Sequence, residues 1–167
     1  MQINFGLAMK VRPFFIANHY EGGKKMTEED RTTMRVILCK PDEKAVVIEM
    51  EDSLESMQNM VGGLIEEYMP WDDEVAIICN EEGKMNGLPL NRGIKDEDGH
   101  LQDIIAGDFF ICYAPIESER FLSMPPELEE KYLEKFELPE MFFRTKDGIH
   151  AEKYEPWPKE MTRDYAR

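Results

Sequence analysis

The side chains best suited to binding a ligand lie in one loop-rich segment of the chain. Asn80 and Lys84 belong to the sequence Asn-Glu-Glu-Gly-Lys, which directly follows an apolar run and is typical of a hairpin turn. Asn91 and Arg92 follow Gly-Leu-Pro-Leu and place an amide beside a guanidinium, a pair that suits a carboxylate, a phosphate or a peptide backbone. A long loop between core strands is unusual unless it packs on itself or carries function. We therefore expect a binding site here, with a plain turn as the simpler interpretation of its first half.

Arg92 is isolated in the sequence, because it is the first arginine after Arg35 in a chain rich in acidic residues. Two interpretations follow from this isolation. Arg92 is either the centre of internal salt bridges or a direct contact to a ligand, and the sequence leaves both open.

The same segment contains no complete catalytic or metal-binding signature. His100 and Asp103 could pair as a base and its orienting group, but no Ser or Cys nucleophile lies near them in the sequence. Residues 96–99 (Asp-Glu-Asp-Gly) resemble the front of a calcium loop, yet the alternating oxygen ligands and the closing Glu are absent, so a β-turn is predicted. We expect no catalytic residue, no metal and no cofactor, and we keep a hydrolase or metal enzyme as the least favoured alternative.

The three cysteines, Cys39, Cys79 and Cys112, each end an apolar run. Free cysteine behaves as a small buried hydrophobe, so a structural role is predicted for all three. A shared metal site would need the three strand ends to meet, and no Cys-x-x-Cys pair supports it. A disulfide is disfavoured in a reducing compartment.

The charge of the chain is strongly negative and unevenly distributed. The formal net charge is -15, and residues 45–83 contain no Lys or Arg. The acidic residues of this stretch include Glu66, Glu67, Asp72 and Asp73. Such a surface repels phosphate backbones, which argues against direct nucleic-acid binding. It is either a solvated exterior that keeps the protein soluble or a surface that attracts a basic protein, including one built to hold DNA.

Composition places the chain among globular proteins of the cytoplasm. Apolar residues make up 42% and charged residues 33%. No apolar run approaches the roughly 18 residues that a membrane helix needs. The first residues lack the charged, apolar and small-residue order of a signal peptide. We therefore expect a cytoplasmic protein that does not enter a membrane, and the sequence does not predict its oligomeric state.

Three parts follow from the pattern along the chain. Residues 1–33 contain a short apolar run broken by Pro13 and then a polar stretch, which predicts an N-terminal appendage. Residues 34–122 are the predicted core, and they open with two strand-like runs joined by a tight turn. Residues 123–167 are expected to form a short helix through about Phe136 and a tail.

One helix is predicted from Asp52 to Tyr68, because a start that resembles a capping box precedes apolar residues at helical spacing. Gly62 and Gly63 interrupt it, which we attribute to close packing on the sheet or, alternatively, to backbone contact with a ligand. The sheet and the helix should bury Val36, Leu38, Val46, Ile48, Val61, Leu64, Val75, Ile77, Ile104, Phe110 and Tyr113.

Several motifs resemble one family. The sequences MRVILCKP, SLESMQNMVGGLIEEY, EVAIICNEEGKMNGLPLNR, DEDG and DIIAGDFFI are similar to those of the family described as domain of unknown function 3846, over about residues 34–112. The combination of GLPLNR with DIIAG is the most specific element. The resemblance implies no assigned activity. It also implies a setting among accessory genes of phages, plasmids and conjugative elements, often beside anti-restriction genes.

We predict an α+β fold with a small mixed or antiparallel sheet of four or five strands and the helix at 52–68 packed on one face. The first functional hypothesis is a non-enzymatic acidic accessory protein of a mobile element. It would bind a basic surface of a host defence protein, possibly as a mimic of nucleic acid, through residues such as Glu66 and Asp72. The alternative is a binding or sequestering module for a nucleotide or other small anionic ligand, which would use the loop at 80–92.

Overall fold

The fold is α+β, and the computed structural model describes residues 32 to 158. Nine strands and two helices follow one another in these residues: β1 (Thr33–Cys39), β2 (Val46–Glu51), α1 (Leu54–Val61), β3 (Ile65–Tyr68), β4 (Val75–Asn80), β5 (Leu90–Lys95), β6 (Leu101–Ala106), β7 (Phe109–Tyr113), α2 (Pro126–Phe136), β8 (Glu140–Thr145) and β9 (Gly148–Lys153).

Five strands form the central sheet, in the order β2-β1-β7-β4-β3, and each neighbouring pair is antiparallel. Its middle strands consist largely of β-branched and aromatic residues, which favour extended backbone. Every residue of β4 is buried, so this strand is covered on both faces. The predicted sheet of four or five strands is confirmed in its antiparallel form, and the predicted hairpin of β1 and β2 is confirmed as well.

The two faces of the sheet carry separate cores. On one face, Met57 and Val61 of α1 pack with Ile78 and Phe110. We call this the α1 face. The opposite face, which we call the α2 face, is covered by α2 and by the hairpin of β5 and β6. Their residues Ile94, Ile105, Tyr132 and Phe136 pack on Ile77 and Ile111. The expectation of one main helix on one face is therefore corrected, because each face carries a helix.

The hairpin of β8 and β9 packs against β5 through a buried carboxylate. Glu140 is 7% exposed, and its Oε2 accepts a hydrogen bond of 2.5 Å from the backbone N–H of Gly93. Lys95 Nζ lies 3.0 Å from Glu140 Oε1. A Cβ added at Gly93 would lie 2.5 Å from Leu101 Cδ1 and 3.2 Å from Glu140 Oε2, so a side chain there would force both neighbours to shift. The glycine thus allows the two hairpins to approach closely.

The predicted helix at 52–68 is wrong in its second half, because α1 ends at Val61. Gly62 adopts the left-handed conformation at φ 75° and donates its N–H to the carbonyl of Gln58, which closes the helix as a C-cap. The chain then reverses and continues as β3, an edge strand of the sheet. Leu64, expected in the core, is 60% exposed as a result.

The remaining core expectations divide by position in the sheet. Burial is confirmed for Val36, Leu38, Val61, Val75, Ile77 and Phe110. It is wrong for Val46, which is 48% exposed on the edge strand β2. Ile48, Ile104 and Tyr113 are half-buried. Val46 and Ile48 lie on the edge strand β2, which lacks a neighbouring strand on one side and encloses its apolar residues less. Tyr113 is the last residue of the central strand β7, and Ile104 belongs to the β5–β6 hairpin.

Residues after the predicted boundary at 122 pack against the predicted core. The short helix is confirmed as α2, but its Tyr132 and Phe136 belong to the core of the α2 face. The tail expected after it contains the β8–β9 hairpin. Of the predicted appendage at 1–33, all but the last two residues lie outside the described part of the chain.

Candidate functional site

The loop between β4 and β5 packs on itself and on the turn that joins β6 to β7. Gly83 is buried so closely against the carbonyl oxygen of Ala106 that an added Cβ would lie 2.7 Å from it. The N–H of Leu88 donates to the carbonyl of Gly83 at 2.9 Å, and the N–H of Gly107 donates to that of Pro89 at 2.7 Å. The loop therefore has a fixed shape rather than an open one.

Asn80 belongs to the framework of this loop. Its side chain is buried, with Nδ2 donating to the carbonyl of Val61 at 3.2 Å and Oδ1 accepting from the N–H of Glu82 at 2.9 Å. The Asn80 amide thus connects the carbonyl of Val61, the last residue of α1, to the turn that follows β4. Such side-chain bonds to nearby backbone are a common use of Asn at turns.

Arg92 and Asn91 lie in the interior, each 1% exposed. The guanidinium of Arg92 donates to the carbonyls of Phe136 at 3.1 Å, Lys40 at 3.3 Å and Glu43 at 2.8 Å. Its Nη1 also donates to Asn91 Oδ1 at 2.8 Å. The Nδ2 of Asn91 donates to the carbonyls of Gly107 at 2.7 Å and Cys39 at 3.0 Å.

These contacts correct the two interpretations of Arg92. Its partners are backbone carbonyls and an amide, so it is not the centre of a salt-bridge network. It is also enclosed, so it does not present its guanidinium to a ligand at the surface. Burial lowers the pKa of Arg92, the effect being partly offset by surrounding acidic groups. Asn91 and Arg92 do bind peptide backbone, as their side chains predicted, but the carbonyls that they bind belong to this protein and not to a ligand.

Lys84 is exposed and forms an ion pair with Asp103 of β6. Glu66 and Tyr68 lie on the same face of β3. The charge of Asp103 acts on both side chains, and the charge of Lys84 acts on Glu66. Burial raises the pKa of Glu66, Lys84 opposes this rise, and Asp103 and Glu81 add to it. Burial likewise raises the pKa of the Tyr68 hydroxyl. We call Glu66, Tyr68, Lys84 and Asp103 the Glu66 cluster, and its net charge is negative.

The other predicted acidic residues do not join this cluster. Glu67 alternates with Glu66 along β3 and lies opposite Ile78, so its side chain points to the α1 face. Asp72 is exposed. Asp73 is held by α2, because its Oδ2 pairs with Lys131 and accepts the hydroxyl of Tyr132 at 2.9 Å. The hydrogen bond from Lys131 is the main reason why the pKa of Asp73 is lowered.

The cysteines are buried as predicted. Cys39 and Cys79 belong to the core of the α2 face, while Cys112 belongs to that of the α1 face, so the three thiols do not converge. Burial raises the pKa of Cys39 and Cys79 to about 12, which keeps both thiols protonated and unreactive at neutral pH.

The predicted turn at Asp96 is confirmed. The N–H of Gly99 donates to the carbonyl of Asp96 at 3.1 Å, and the Asp96 carboxylate accepts from the N–H of His100 at 2.8 Å. Possible ligand atoms of Asp96, Asp98 and His100 lie within 4.8 Å of one another on the exposed tip of the hairpin. Hydrogen bonds within the turn account for this arrangement.

The sequence profile of one family matches residues 34–137, which is most of the chain. The chain belongs to the family described as Domain of unknown function (DUF3846). The match extends through α2, beyond the part that carries the quoted motifs. No curated protein and no solved structure matches the chain.

The structure explains why the two most specific motifs of the resemblance occur together. GLPLNR leads into β5, and DIIAG covers β6 from Asp103 to its end and the glycine after it. The two strands pair with Leu90 opposite Ala106 and Arg92 opposite Ile105. Sequence reasoning missed Asp103 as the partner of Lys84, and it treated Asp103 only as a neighbour of His100. The turn at residues 96–99 predicts that the strands on either side pair as a hairpin. That pairing would have brought Asp103 back towards the loop before β5, where Lys84 lies.

Proposed function

We propose that this protein is a non-enzymatic binding protein whose acidic surface binds a basic surface of another protein. The observation that supports this proposal is that several Lys and Arg side chains are already bound within the protein. Lys84, Arg35, Arg120 and Lys131 form ion pairs with carboxylates, and Arg92 is buried on backbone carbonyls. Within residues 32–158 these cations are held by the fold, and residues 45–83 contain acidic residues but no Lys or Arg. The exposed carboxylates of that stretch therefore make its surface negative.

Several exposed carboxylates lie in residues 45–83, the stretch that contains no Lys or Arg. Glu55, Asp72, Glu81 and Glu82 are all exposed. Exposed charges in a single-sign field steer a partner of opposite charge and raise its rate of association. A partner built to hold DNA would present such a positive field.

The mobile-element setting implied by the resemblance makes a host defence protein the proposed partner. Binding would block that protein by occupying the surface with which it holds nucleic acid. This step rests on the resemblance together with the net charge of -15. None of the helices formed by residues 32–158 is long and apolar enough to cross a membrane.

The alternative, a site for a small anionic ligand in the loop at 80–92, has less support. Lys84 is paired with Asp103 and lies beside Glu66, so an anion there would meet net negative charge. A surface groove lined by Gln58, Asn59, Gly62, Gly63 and Leu64 and another that includes Lys40 and Asp108 both lie away from Lys84 and Arg92.

The test is affinity capture on the immobilised protein from an extract of its native host. A variant carrying Glu55→Lys, Asp72→Lys, Glu81→Lys and Glu82→Lys should lose the captured protein, while a control carrying Glu119→Lys, Glu127→Lys, Glu130→Lys and Glu134→Lys should retain it. These control residues are also exposed, and three of them lie on or beside α2. The proposal fails if the two variants capture the same proteins as the wild type, or if the wild type captures none.

A further inference from the structure

We propose that the partner contacts one end of the molecule, where Leu64, Met85 and Leu90 surround the loop between β4 and β5. We call these three residues the apolar end. This inference rests on the proposed function and adds to it a contact surface and the chemistry of the partner. That partner would be a protein that presents apolar side chains among lysines and arginines.

The apolar end consists of large side chains that the fold does not cover. Leu64 is 60% exposed, Met85 86% and Leu90 48%. Single exposed hydrophobic residues are ordinary on protein surfaces, but several at one place mark interaction sites. A buried apolar centre with a charged rim is also the usual composition of a protein interface.

Backbone contacts bring these three residues to the same end of the sheet. The carbonyl of Leu64 accepts a hydrogen bond from the N–H of Glu81 at 2.9 Å, which places Leu64 beside the start of the loop. Leu90 pairs with Ala106, and Gly83 packs on the carbonyl of that same residue. Met85 lies in the turn between Glu81, which is bonded to Leu64, and Leu90, which pairs with Ala106.

The loop that carries Met85 is held in place before any partner binds. Gly83, Leu88 and Pro89 are fixed by the contacts described above, and Asn91 anchors the strand that follows to the interior. A surface that is ordered in the free protein loses little conformational entropy on binding. The buried Arg92 network therefore has a functional consequence, because it supports the shape of this end.

The rim of the apolar end determines the charge of the partner. Glu81, whose N–H is bonded to the Leu64 carbonyl, and Glu82, which follows it in the chain, are both exposed. The one lysine of the loop, Lys84, forms an ion pair with Asp103. Complementary charge on the partner must therefore be positive. The exposed apolar residues elsewhere, such as Met141 of the β8–β9 hairpin and Ile116, provide matched controls outside this acidic rim.

Two defined probes test the inference. One is a short peptide of lysine only, and the other is a monomeric peptide of equal charge in which leucines are placed among the lysines. Binding of each to the full chain would be measured by fluorescence anisotropy at low salt. We expect the leucine-containing peptide to bind about tenfold more tightly, since apolar anchors at the centre of an interface carry much of its affinity.

The variant Leu64→Ser, Met85→Ser, Leu90→Ser should abolish this difference between the peptides while leaving affinity for the lysine-only peptide unchanged. Met85→Ser alone should reduce it, and because Met85 is the most exposed of the three it provides a test that does not disturb the fold. The control Ile116→Ser, Met141→Ser should leave the difference intact.

Each other outcome has a distinct meaning. If both peptides bind the wild type equally, or if the apolar-end variant keeps the difference, the inference is overturned and the proposed acidic binding function stands. If neither peptide binds at low salt, the proposed function is overturned together with the inference.

Discussion

At the scale of single residues, Arg92 of the GLPLNR motif is buried and forms its hydrogen bonds inside the protein. Arg92 was conspicuous in the sequence because of its isolation, and that signal was correct in marking an unusual role. The sequence could not show that the partners are the carbonyls of Lys40, Glu43 and Phe136, since these belong to segments far apart in the chain. Arginine suits this position because its planar fork supplies several donors in fixed directions.

Replacing Arg92 by Met should destabilise the protein by about 3 kcal/mol or more, because one buried and two partly buried carbonyls would lose their donors. Urea unfolding monitored by circular dichroism measures the change. Arg144→Met, at an exposed position of β8, is the matched control and should stay within about 0.5 kcal/mol of the wild type. Equal stability of the two variants would show that the network at Arg92 contributes little.

Glu66 provides a test of the electrostatics at residue scale. A raised pKa means that the folded protein holds the proton of Glu66 more tightly than the unfolded chain does. The protonated form therefore favours folding, and this contribution is lost as pH rises through the pKa. Glu66→Gln, which resembles the protonated form, should raise the melting temperature at pH 7.

The gain from Glu66→Gln should disappear as the pH falls below the ordinary glutamate value of 4.5, where the wild-type residue is itself protonated. Melting curves across this range provide the measurement. Glu130→Gln, on the exposed side of α2, serves as the control and should change little at any pH. A stabilisation by Glu66→Gln that did not depend on pH would contradict the assigned cause.

At the scale of elements, the main error concerned the end of α1. The apolar spacing continues past Val61, but Gly62 and Gly63 end the helix, and after Leu64 the residues Ile65–Tyr68 join the sheet. A glycine pair followed by a short alternating stretch is a recognisable stop signal. Long-range pairing with β4 then outweighed the helical pattern, and that pairing is not visible in a local window.

Gly63 tests the packing of this boundary. An added Cβ would lie 2.6 Å from Nδ2 of Asn80, whose amide is bonded at both ends. Gly63→Ala should therefore cost about 1–3 kcal/mol, as overpacking does. In the background of Asn80→Ala the same change should cost much less, and a double-mutant cycle measures the difference. Independent, additive effects would mean that Asn80 is not the obstacle.

The C-terminal hairpin was missed for a different reason. The tail lacked a clear period, but Asp147-Gly148 between Phe-Phe-Arg-Thr and Ile-His-Ala-Glu is a strong hairpin signal. The buried Glu140 that fixes this hairpin to Gly93 and Lys95 could not be inferred from sequence, because its neutralising contacts come from a distant strand.

At the scale of the whole molecule, the sequence shows how much negative charge there is and in which stretch of the chain it lies. It does not show which Lys and Arg side chains form ion pairs in the folded protein. The predicted binding residues divided in the structure into framework residues, such as Asn91, and surface residues, such as Asp72. Only the folded arrangement shows that Lys84 is paired with Asp103. Under the proposed function, this ion pair is the reason to expect a basic partner rather than an anionic ligand.

The most direct test of this account is the salt dependence of the affinity for the captured partner. Isothermal titration at about 50 mM and about 300 mM salt should show a steep loss of affinity, because exposed charges are screened over about 8–10 Å near physiological ionic strength. Lys84→Gln should leave the affinity unchanged or increase it. An affinity that is independent of salt and collapses on Lys84→Gln would contradict the account and identify the loop at 80–92 as an anion site.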